Sequence, residues 1–176
     1  MQNPIVAALD RMKSVIARRP DFAIHDDSPA TVRWDGGTRV VCSHDNGHTM
    51  TTDMPPELGG EGQHVTPGWM FRAGIASCLT TCVAMAAAQE GIELDHLEVV
   101  AGSTSDARGM LDMPGDQGGA VPAGASEVRL DVRIAANGVD PDRLRRLVQQ
   151  AHALAPMSSN IERSVPLLLN VTVGDR

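Results

Sequence analysis

The chain has 176 residues, 42% of them hydrophobic and 21% charged, which is typical of one soluble domain with its own core. Only 2% of the residues are aromatic and none is tyrosine, so the stacking platforms that bind single-stranded nucleic acid are nearly excluded. The formal net charge of -7 also repels phosphate backbones, and we therefore expect no nucleic-acid partner.

The cysteines and the first residues indicate a compartment. Residues 1–19 lack the uninterrupted apolar stretch of a secretory signal, because Asp10, Arg11 and Lys13 fall inside them. The chain has three cysteines, and an odd number without such a signal argues against a disulfide scaffold. We therefore expect a cytoplasmic protein with reduced thiols.

The first part of the chain predicts one helix followed by strands. Apolar residues recur at helical spacing in residues 4–18, which predicts an amphipathic helix. Residues 30–53 are typical of strands joined by turns at "DGG" and "DNG". Residues 54–67 are dense in proline and glycine and predict a loop. We interpret residues 1–29 as a helical extension of the main domain.

The stretch PGWMFRAGIASCLTTCVAMAAAQEG, residues 67–91, predicts one long helix. Thr66 is its expected N-cap, a proline follows at the first helical position, and the helix should end near Gln89–Glu90 with Gly91 as its C-cap. Most of its side chains are small and apolar, which predicts a buried central helix. Arg72 and several polar residues interrupt the apolar run, so we expect no membrane span.

The second half of the chain predicts two strands, a helix and a last strand. Residues 97–103 predict a strand, and residues 127–138 predict another with one wet face, because apolar and charged residues alternate there. Asp140 should cap the next helix, and residues 166–174 predict the closing strand. Residues 104–125 are rich in glycine and proline and predict a long, mobile loop. The whole order is an α+β plan in one domain.

Cys78 and Cys82 lie one turn apart on the long helix and therefore share a face. Three interpretations remain open from this spacing. The simplest is that both are small core residues, since free cysteine is among the most buried residue types. A reactive thiolate needs a cation, such as an arginine brought in from another segment. A zinc site needs four ligands, and His44, His48 and His64 are scattered, so we expect no metal and no cofactor.

Three other residues also leave alternatives open. His152 is a candidate general base, although a histidine on a partly exposed helix face is far more often simply solvated. Trp69 and Phe71 are equally consistent with a pocket lining and with core or interface packing. A direct disulfide between the two helical cysteines is disfavoured, because a continuous helix points their Cβ atoms poorly for the required torsion.

Four segments together resemble the OsmC/Ohr family of thiol-dependent hydroperoxide reductases. ATVRWDGGTRV is similar to the N-terminal strand pair of that family, and PPELGGEGQHVTP is similar to the loop before its central helix. FRAGIASCLTTCVAMAAAQEGI resembles the helix that carries the first reactive cysteine. DPDRLRRLVQQAHALAPMSSNIERSVPLLLNV resembles the C-terminal helix, the loop of the second cysteine and the last strand. The resemblance covers most of residues 30–173, within one OsmC-like domain of residues 1–176.

The resemblance implies an intertwined homodimer, in which long central helices pack against antiparallel sheets and the sites lie at the dimer interface. It also implies the reduction of organic hydroperoxides. In that chemistry a peroxidatic cysteine attacks the peroxide oxygen, an arginine stabilises its thiolate and a glutamate holds the arginine. A second cysteine then resolves the sulfenic acid as a disulfide.

The first two of these roles have matching residues. Cys78 falls on the peroxidatic position. Arg39 is the best match for the arginine that stabilises the thiolate, and Arg33 is the alternative if the register shifts. The resemblance therefore implies Cys78 and Arg39 as the catalytic residues.

The other two roles fall on residues that cannot perform them. The glutamate position is occupied by Gly68, and only Glu57 or Glu61 in the preceding loop can substitute for it. The second cysteine falls on Ala155, so a sulfenic acid at Cys78 would need an external thiol for its reduction.

Two hypotheses follow. In the first, the protein is a one-cysteine thiol peroxidase, with Cys78 as the nucleophile, Arg39 as its activator and a small thiol or dithiol as the reductant. In the second, it is a non-catalytic dimer that binds an apolar small molecule in its interface pocket, and Cys78 only packs. The first is preferred, because Cys78 is retained at the matching position.

Overall fold

The computed structural model of the protein describes residues 3–174 and confirms the α+β plan. The helices are α1 Pro4–Arg18, α2 Pro67–Gln89, α3 Ala107–Met110, α4 Pro141–Ala153 and α5 Pro156–Arg163. The strands are β1 Thr31–Trp34, β2 Val40–Ser43, β3 Thr49–Thr52, β4 His96–Ser105 and β5 Ala125–Ala135.

The two predicted ends of α2 are confirmed. The Thr66 hydroxyl accepts a hydrogen bond from the backbone N–H of Trp69 at 3.1 Å, which satisfies one of the free amides of the first turn. Pro67 takes the first helical position, where its missing N–H costs nothing. After the helix, Gly91 adopts φ 67°, a left-handed conformation that glycine adopts without strain.

The prediction that α2 is buried holds for one stripe of the helix. Helix α2 contacts α4, α5 and β4. Its buried residues follow each other at intervals of four: Ile75, Leu79, Val83 and Ala87. The side chains of Trp69 and Phe71 are about half exposed, because the chain covers only that side of the helix. By length and composition α2 is apolar enough to cross a membrane, but a core helix passes the same test.

The core lies between α2, α4 and the inner face of the β4–β5 ribbon. Asp140 caps α4 by accepting the N–H groups of Asp142 and Arg143, as its position in the sequence predicts. The apolar stripe of α4 then faces α2, and each fully buried leucine contributes about 1.5–3 kcal/mol by leaving water. The buried core residues are Leu79, Val83, Ala87, Ile92, Leu144, Leu147, Ala151 and Ala155.

The strands form two separate antiparallel sheets. β1, β2 and β3 form a meander in which Val32 pairs with Cys42, and its turns fall at the predicted "DGG" and "DNG" sequences. None of the buried core residues comes from this sheet. The second sheet pairs β4 with β5, and the alternation of β5 is confirmed by its alternating exposed and half-buried residues.

Two expectations differ from the structure. Residues 166–174 were expected to form a closing strand, but they have no strand partner within residues 3–174, and Leu167 is 94% exposed. Their apolar alternation is real, but a strand needs a neighbour to satisfy its backbone. Residues 104–125 contain the end of β4, α3 and the first residue of β5, so they are less irregular than expected. The mobility of this segment stays a prediction.

Within the segment 104–125, Arg108 explains the additional order. Its guanidinium donates to Asp106 and to Asp116, in both cases at 2.6 Å. One side chain therefore connects the start of α3 to the turn that follows it.

The predicted helix over residues 4–18 is also confirmed as α1, which is capped by Asn3 and contacts α2.

Candidate functional site

The two cysteines of α2 lie beside its buried stripe. Cys78 and Cys82 are both half-buried and both pack against the core cluster. Burial, and then the neighbouring Cys78, raise the pKa of the Cys82 thiol, which hydrogen-bonds to the Cys78 sulfur. Cys82 is therefore a protonated thiol at neutral pH, one helical turn from Cys78.

The start of α5 lies against the same part of α2. A Cβ atom added to Gly74 would lie 3.0 Å from the terminal methyl carbon of Met157, so α5 approaches α2 closely there. Ala155, the position where the resemblance expects a second cysteine, is fully buried in the cluster against which Cys78 packs. Its methyl group supplies no sulfur to resolve an oxidised Cys78.

Arg39 lies in the turn between β1 and β2. Its Nε donates to the Asp35 carboxylate at 2.9 Å, and its Nη1 lies 3.6 Å from the Glu61 carboxylate. The hydrogen bond to Asp35 and the charges of both acids raise the pKa of Arg39 above its ordinary value. The guanidinium is thus a fixed cation with one face still open to solvent.

Glu61 answers a question that the sequence left open. The resemblance places a glutamate where this chain has Gly68, and both Glu57 and Glu61 were candidates to replace it. The structure pairs Glu61 with Arg39, from the loop before α2. A carboxylate is therefore present beside the arginine, and it comes from a different position of the chain.

Asp53, at the end of β3, is a site residue that sequence reasoning missed. It is only 2% exposed, and its carboxylate accepts the Thr38 hydroxyl at 2.6 Å and the backbone N–H groups of Met54 and Glu61 at 2.8 Å each. These hydrogen bonds, first that of Thr38, lower the pKa of Asp53. An acid between a strand and a proline-rich loop was the available signal, because such loops need acceptors for their free amides.

Arg39 and Cys78 are not brought together within one chain. Arg39 opens into a cavity of about 150 Å³, and none of its lining residues belongs to α2. The lining residues are Gly36, Gly37, Thr38, Arg39, Asp53, Gly59, Gly60 and Glu61. The alternative, Arg33, is exposed on β1. Arg72, on the same helix as Cys78, instead donates to the Ser103 hydroxyl at 3.3 Å.

A second cavity, of about 430 Å³, lies between α2, β5, α4 and α5. Its walls are mainly apolar: Ile75, Leu79, Val128, Leu130, Val132, Val148 and Ile161. Ser158 also lines it and is 4% exposed, and its hydroxyl has no hydrogen-bond partner among residues 3–174. His152 lies in the same lining and is partly exposed, with its Nε2 3.8 Å from the Glu162 carboxylate.

The third cysteine and two further histidines lie at another cavity. Cys42 on β2 lines a cavity of about 280 Å³ together with His44, His48 and Met70. Met70 precedes Cys78 by eight residues, roughly 12 Å along the axis of α2. Within residues 3–174, no three His, Cys, Asp or Glu side chains are grouped as metal ligands.

The fold and the site define a class: an α+β protein with cysteines on a long central helix and an arginine–glutamate pair formed by the β1–β2 turn and the loop before that helix. The chain belongs to the OsmC-like protein family, whose sequence model matches residues 60–170. The organic hydroperoxide resistance protein of Xanthomonas axonopodis pv. citri is 30% identical over 130 residues, which cover 73% of this chain and 82% of that protein.

Solved structures show the same fold. The OsmC-like protein from Mycoplasma pneumoniae has a TM-score of 0.66 at 13% identity, covering 80% of this chain and 90% of that one. The organic hydroperoxide resistance protein OsmC from Legionella pneumophila has a TM-score of 0.58 at 22% identity, covering 80% and 92%. The predicted OsmC-like fold is therefore confirmed.

Proposed function

We propose that this protein is a thiol-dependent organic hydroperoxide reductase that uses Cys78 as its single peroxidatic cysteine. The observation that carries the proposal is the Arg39–Glu61 pair. The position of the glutamate expected at the start of α2 is occupied by Gly68, yet a carboxylate from the preceding loop lies beside the arginine.

The chemistry needs few groups. The Cys78 thiolate attacks the terminal peroxide oxygen, the O–O bond breaks, and the alkoxide takes up a proton and leaves as an alcohol. Cys78 is thereby oxidised to a sulfenic acid. The guanidinium of Arg39 stabilises the thiolate before the attack and the negative charge that develops on the leaving oxygen.

The return to the thiol uses an external reductant. Ala155 cannot form a disulfide with Cys78, and the helix geometry disfavours one with Cys82. One molecule of a small thiol condenses with the sulfenic acid, releasing water and forming a mixed disulfide. A second displaces Cys78 as a thiolate and leaves as the oxidised disulfide. A reducing cytoplasm would supply such thiols.

The proposal requires a second copy of the chain. Arg39 lies in a cavity whose lining includes no residue of α2, and the adjacent sheet contributes no residue to the buried hydrophobic cluster. Exposed apolar side chains lie on both halves: Val32, Trp34 and Met50 on the first sheet, Phe71 on α2, and Leu167, Leu168 and Leu169 near the end. In a homodimer these surfaces would be covered, and Arg39 of one copy would meet Cys78 of the other.

The test is steady-state reduction of cumene hydroperoxide with dithiothreitol as the electron donor. We expect Cys78→Ser to abolish turnover and Arg39→Gln to lower kcat/KM about 100-fold, the cost typical of losing one stabilising group. Cys82→Ser and Arg33→Gln are the matched controls and should retain activity within about threefold. Turnover no faster than that of a free thiol in the wild type would contradict the proposal.

A second candidate function rests on the 430 Å³ cavity. Its apolar walls and the unpartnered hydroxyl of Ser158 fit a small apolar molecule with one hydrogen-bonding group. Titration with a solvatochromic apolar probe tests this reading. Saturable binding that Ser158→Ala weakens, in a protein without peroxidase turnover, would favour ligand binding over catalysis.

A further inference from the structure

The carboxylate of Asp53 connects the two residues of the Arg39–Glu61 pair. Its Oδ1 accepts the hydroxyl of Thr38, the residue directly before Arg39. Its Oδ2 accepts the backbone N–H of Glu61 itself. The turn that carries the arginine and the loop that carries the glutamate are thus joined through one side chain.

Asp53 is bound by neutral donors. Within residues 3–174 its carboxylate forms no salt bridge, and its charge is met by one hydroxyl and by backbone amides. A buried carboxylate is tolerated only when several donors replace its water. Each donor is therefore constrained by the others, and the segments that supply them are fixed relative to one another.

The loop around Asp53 is closed tightly. A Cβ atom added to Gly60 would lie 1.7 Å from the carbonyl oxygen of Met54 and 2.9 Å from the carboxylate of Asp53, so only glycine fits. At the other end of the loop, the backbone N–H of Asp53 donates to the carbonyl of Val65 at 3.0 Å. Glu61 therefore belongs to a loop that is anchored at both ends.

We propose that Asp53 is a positioning residue for the peroxidase reaction, which holds Arg39 and Glu61 so that the guanidinium meets the Cys78 thiolate in one orientation. The expected effect of Asp53 on the reaction rate rests on the proposed function, whereas its effect on the positions of Arg39 and Glu61 does not. In this proposal Asp53 acts through the hydrogen bonds that hold the Thr38–Arg39 turn and the backbone of Glu61, and not through contact with the peroxide.

The kinetic test combines substitutions at Asp53 and Thr38. Asp53→Asn places an amide NH₂ against N–H or O–H donors, and Thr38→Val removes the hydroxyl that Oδ1 accepts. We expect each to lower kcat/KM for cumene hydroperoxide at least about tenfold, while Thr38→Ser, which keeps the hydroxyl, restores it to within about twofold. Circular dichroism melting verifies that the variants are folded.

A double-mutant cycle separates positioning from a general loss of structure. If Asp53 acts through Arg39, Asp53→Asn should cause no further loss of kcat/KM in the Arg39→Gln background. An equal loss in both backgrounds, or full activity of folded Asp53→Asn, would overturn the proposal.

A structural measurement decides the proposal even if no peroxidase activity is found. In ¹⁵N spectra of arginine side chains, Glu61→Gln should shift the Arg39 Nη resonances in the wild type, because Nη1 faces Glu61, and leave them unchanged in Asp53→Asn. The same shift in both backgrounds would show that the pair forms without Asp53. An inactive wild type would contradict the proposed function alone.

Discussion

Arg39 and Glu61 face each other with 3.6 Å between Nη1 and a carboxylate oxygen, although they come from a strand turn and from a loop before α2. Both side chains are substantially exposed, and exposed ion pairs contribute little to stability. We therefore expect the pair to matter for the direction in which the guanidinium points and not for stability. Asp35 restrains the same guanidinium through Nε, so two acids fix one cation.

Glu61→Gln tests whether this carboxylate takes the role lost at Gly68. We expect kcat/KM for organic hydroperoxides to fall about tenfold, because the amide holds Arg39 without a charge, while the melting temperature stays nearly unchanged. Glu57→Gln, in the same loop, is the control and should behave like the wild type. Equal activity of the two variants would show that Glu61 has no part in the reaction.

Local signals predicted most of the fold. Thr66 before a proline, and Gly91 after the last apolar turn, placed both ends of α2, because caps are determined by neighbouring residues. The expected strand at residues 166–174 was wrong for one chain, because a strand is completed by a partner that its own sequence does not specify. Cys78 and Arg39 were identifiable only through the family resemblance.

The rest of the site depends on contacts between distant segments, which the spacing of apolar residues along the sequence does not predict. The sequence alone does not distinguish Glu57 from Glu61 as the partner of the arginine. The fold of the loop places Glu61 beside Arg39. The sequence likewise does not predict that Asp53 accepts several hydrogen bonds, because its donors come from separate segments of the chain. Pairings between distant segments are set by tertiary structure, whereas propensities report neighbours along the chain.

Gly60→Ala should unfold the loop locally. The added methyl group would overlap the carbonyl oxygen of Met54 at 1.7 Å, and a backbone atom cannot move aside as a side chain can. We expect a loss of about 1–3 kcal/mol in the free energy of unfolding, with activity falling as far as in Asp53→Asn. Gly119→Ala is the control, because nothing lies within 4 Å of its added Cβ. Equal urea midpoints of the two variants would contradict the tight closure.

The protein should lose stability in acid partly through Asp53. Hydrogen bonds lower the pKa of this carboxyl in the folded state. Its contribution is therefore complete above the ordinary aspartate pKa, about 3.9, and is lost as the pH falls through the lower folded value. Urea unfolding between pH 6 and pH 3 should show a steeper loss in the wild type than in Asp53→Asn. Asp45→Asn, in the exposed β2–β3 turn, should keep the wild-type slope.

Cys82 should react slowly with thiol reagents. Burial, and then Cys78, raise its pKa above the ordinary 9.0, so its thiolate fraction at pH 7 is smaller than that of a free cysteine. Alkylation by iodoacetamide, followed by peptide mass spectrometry, should label Cys82 more slowly than a cysteine-containing reference peptide. Because the neighbouring thiol contributes to the raised pKa, Cys78→Ser should accelerate the labelling of Cys82. Labelling at the rate of the reference peptide would contradict this account.

If the site is shared between two copies of the chain, a mixed dimer of two inactive variants should regain activity, which it would not do if each chain held a complete site. Coexpressed Cys78→Ser and Arg39→Gln chains with different tags can be purified as mixed dimers. In a shared site, the Arg39→Gln copy supplies Cys78 and the Cys78→Ser copy supplies Arg39, so one of the two sites is intact. We expect about half of the wild-type turnover per dimer.

The two homodimers are the controls for this experiment, because each lacks one component in both sites. Light scattering must first give the mass of two chains for the wild type. If each chain used its own Arg39, no site in the mixed dimer would be complete, and its turnover would not exceed that of the Arg39→Gln homodimer. Recovery of activity therefore requires that Arg39 acts across the interface, which the separation of its cavity from α2 leads us to expect.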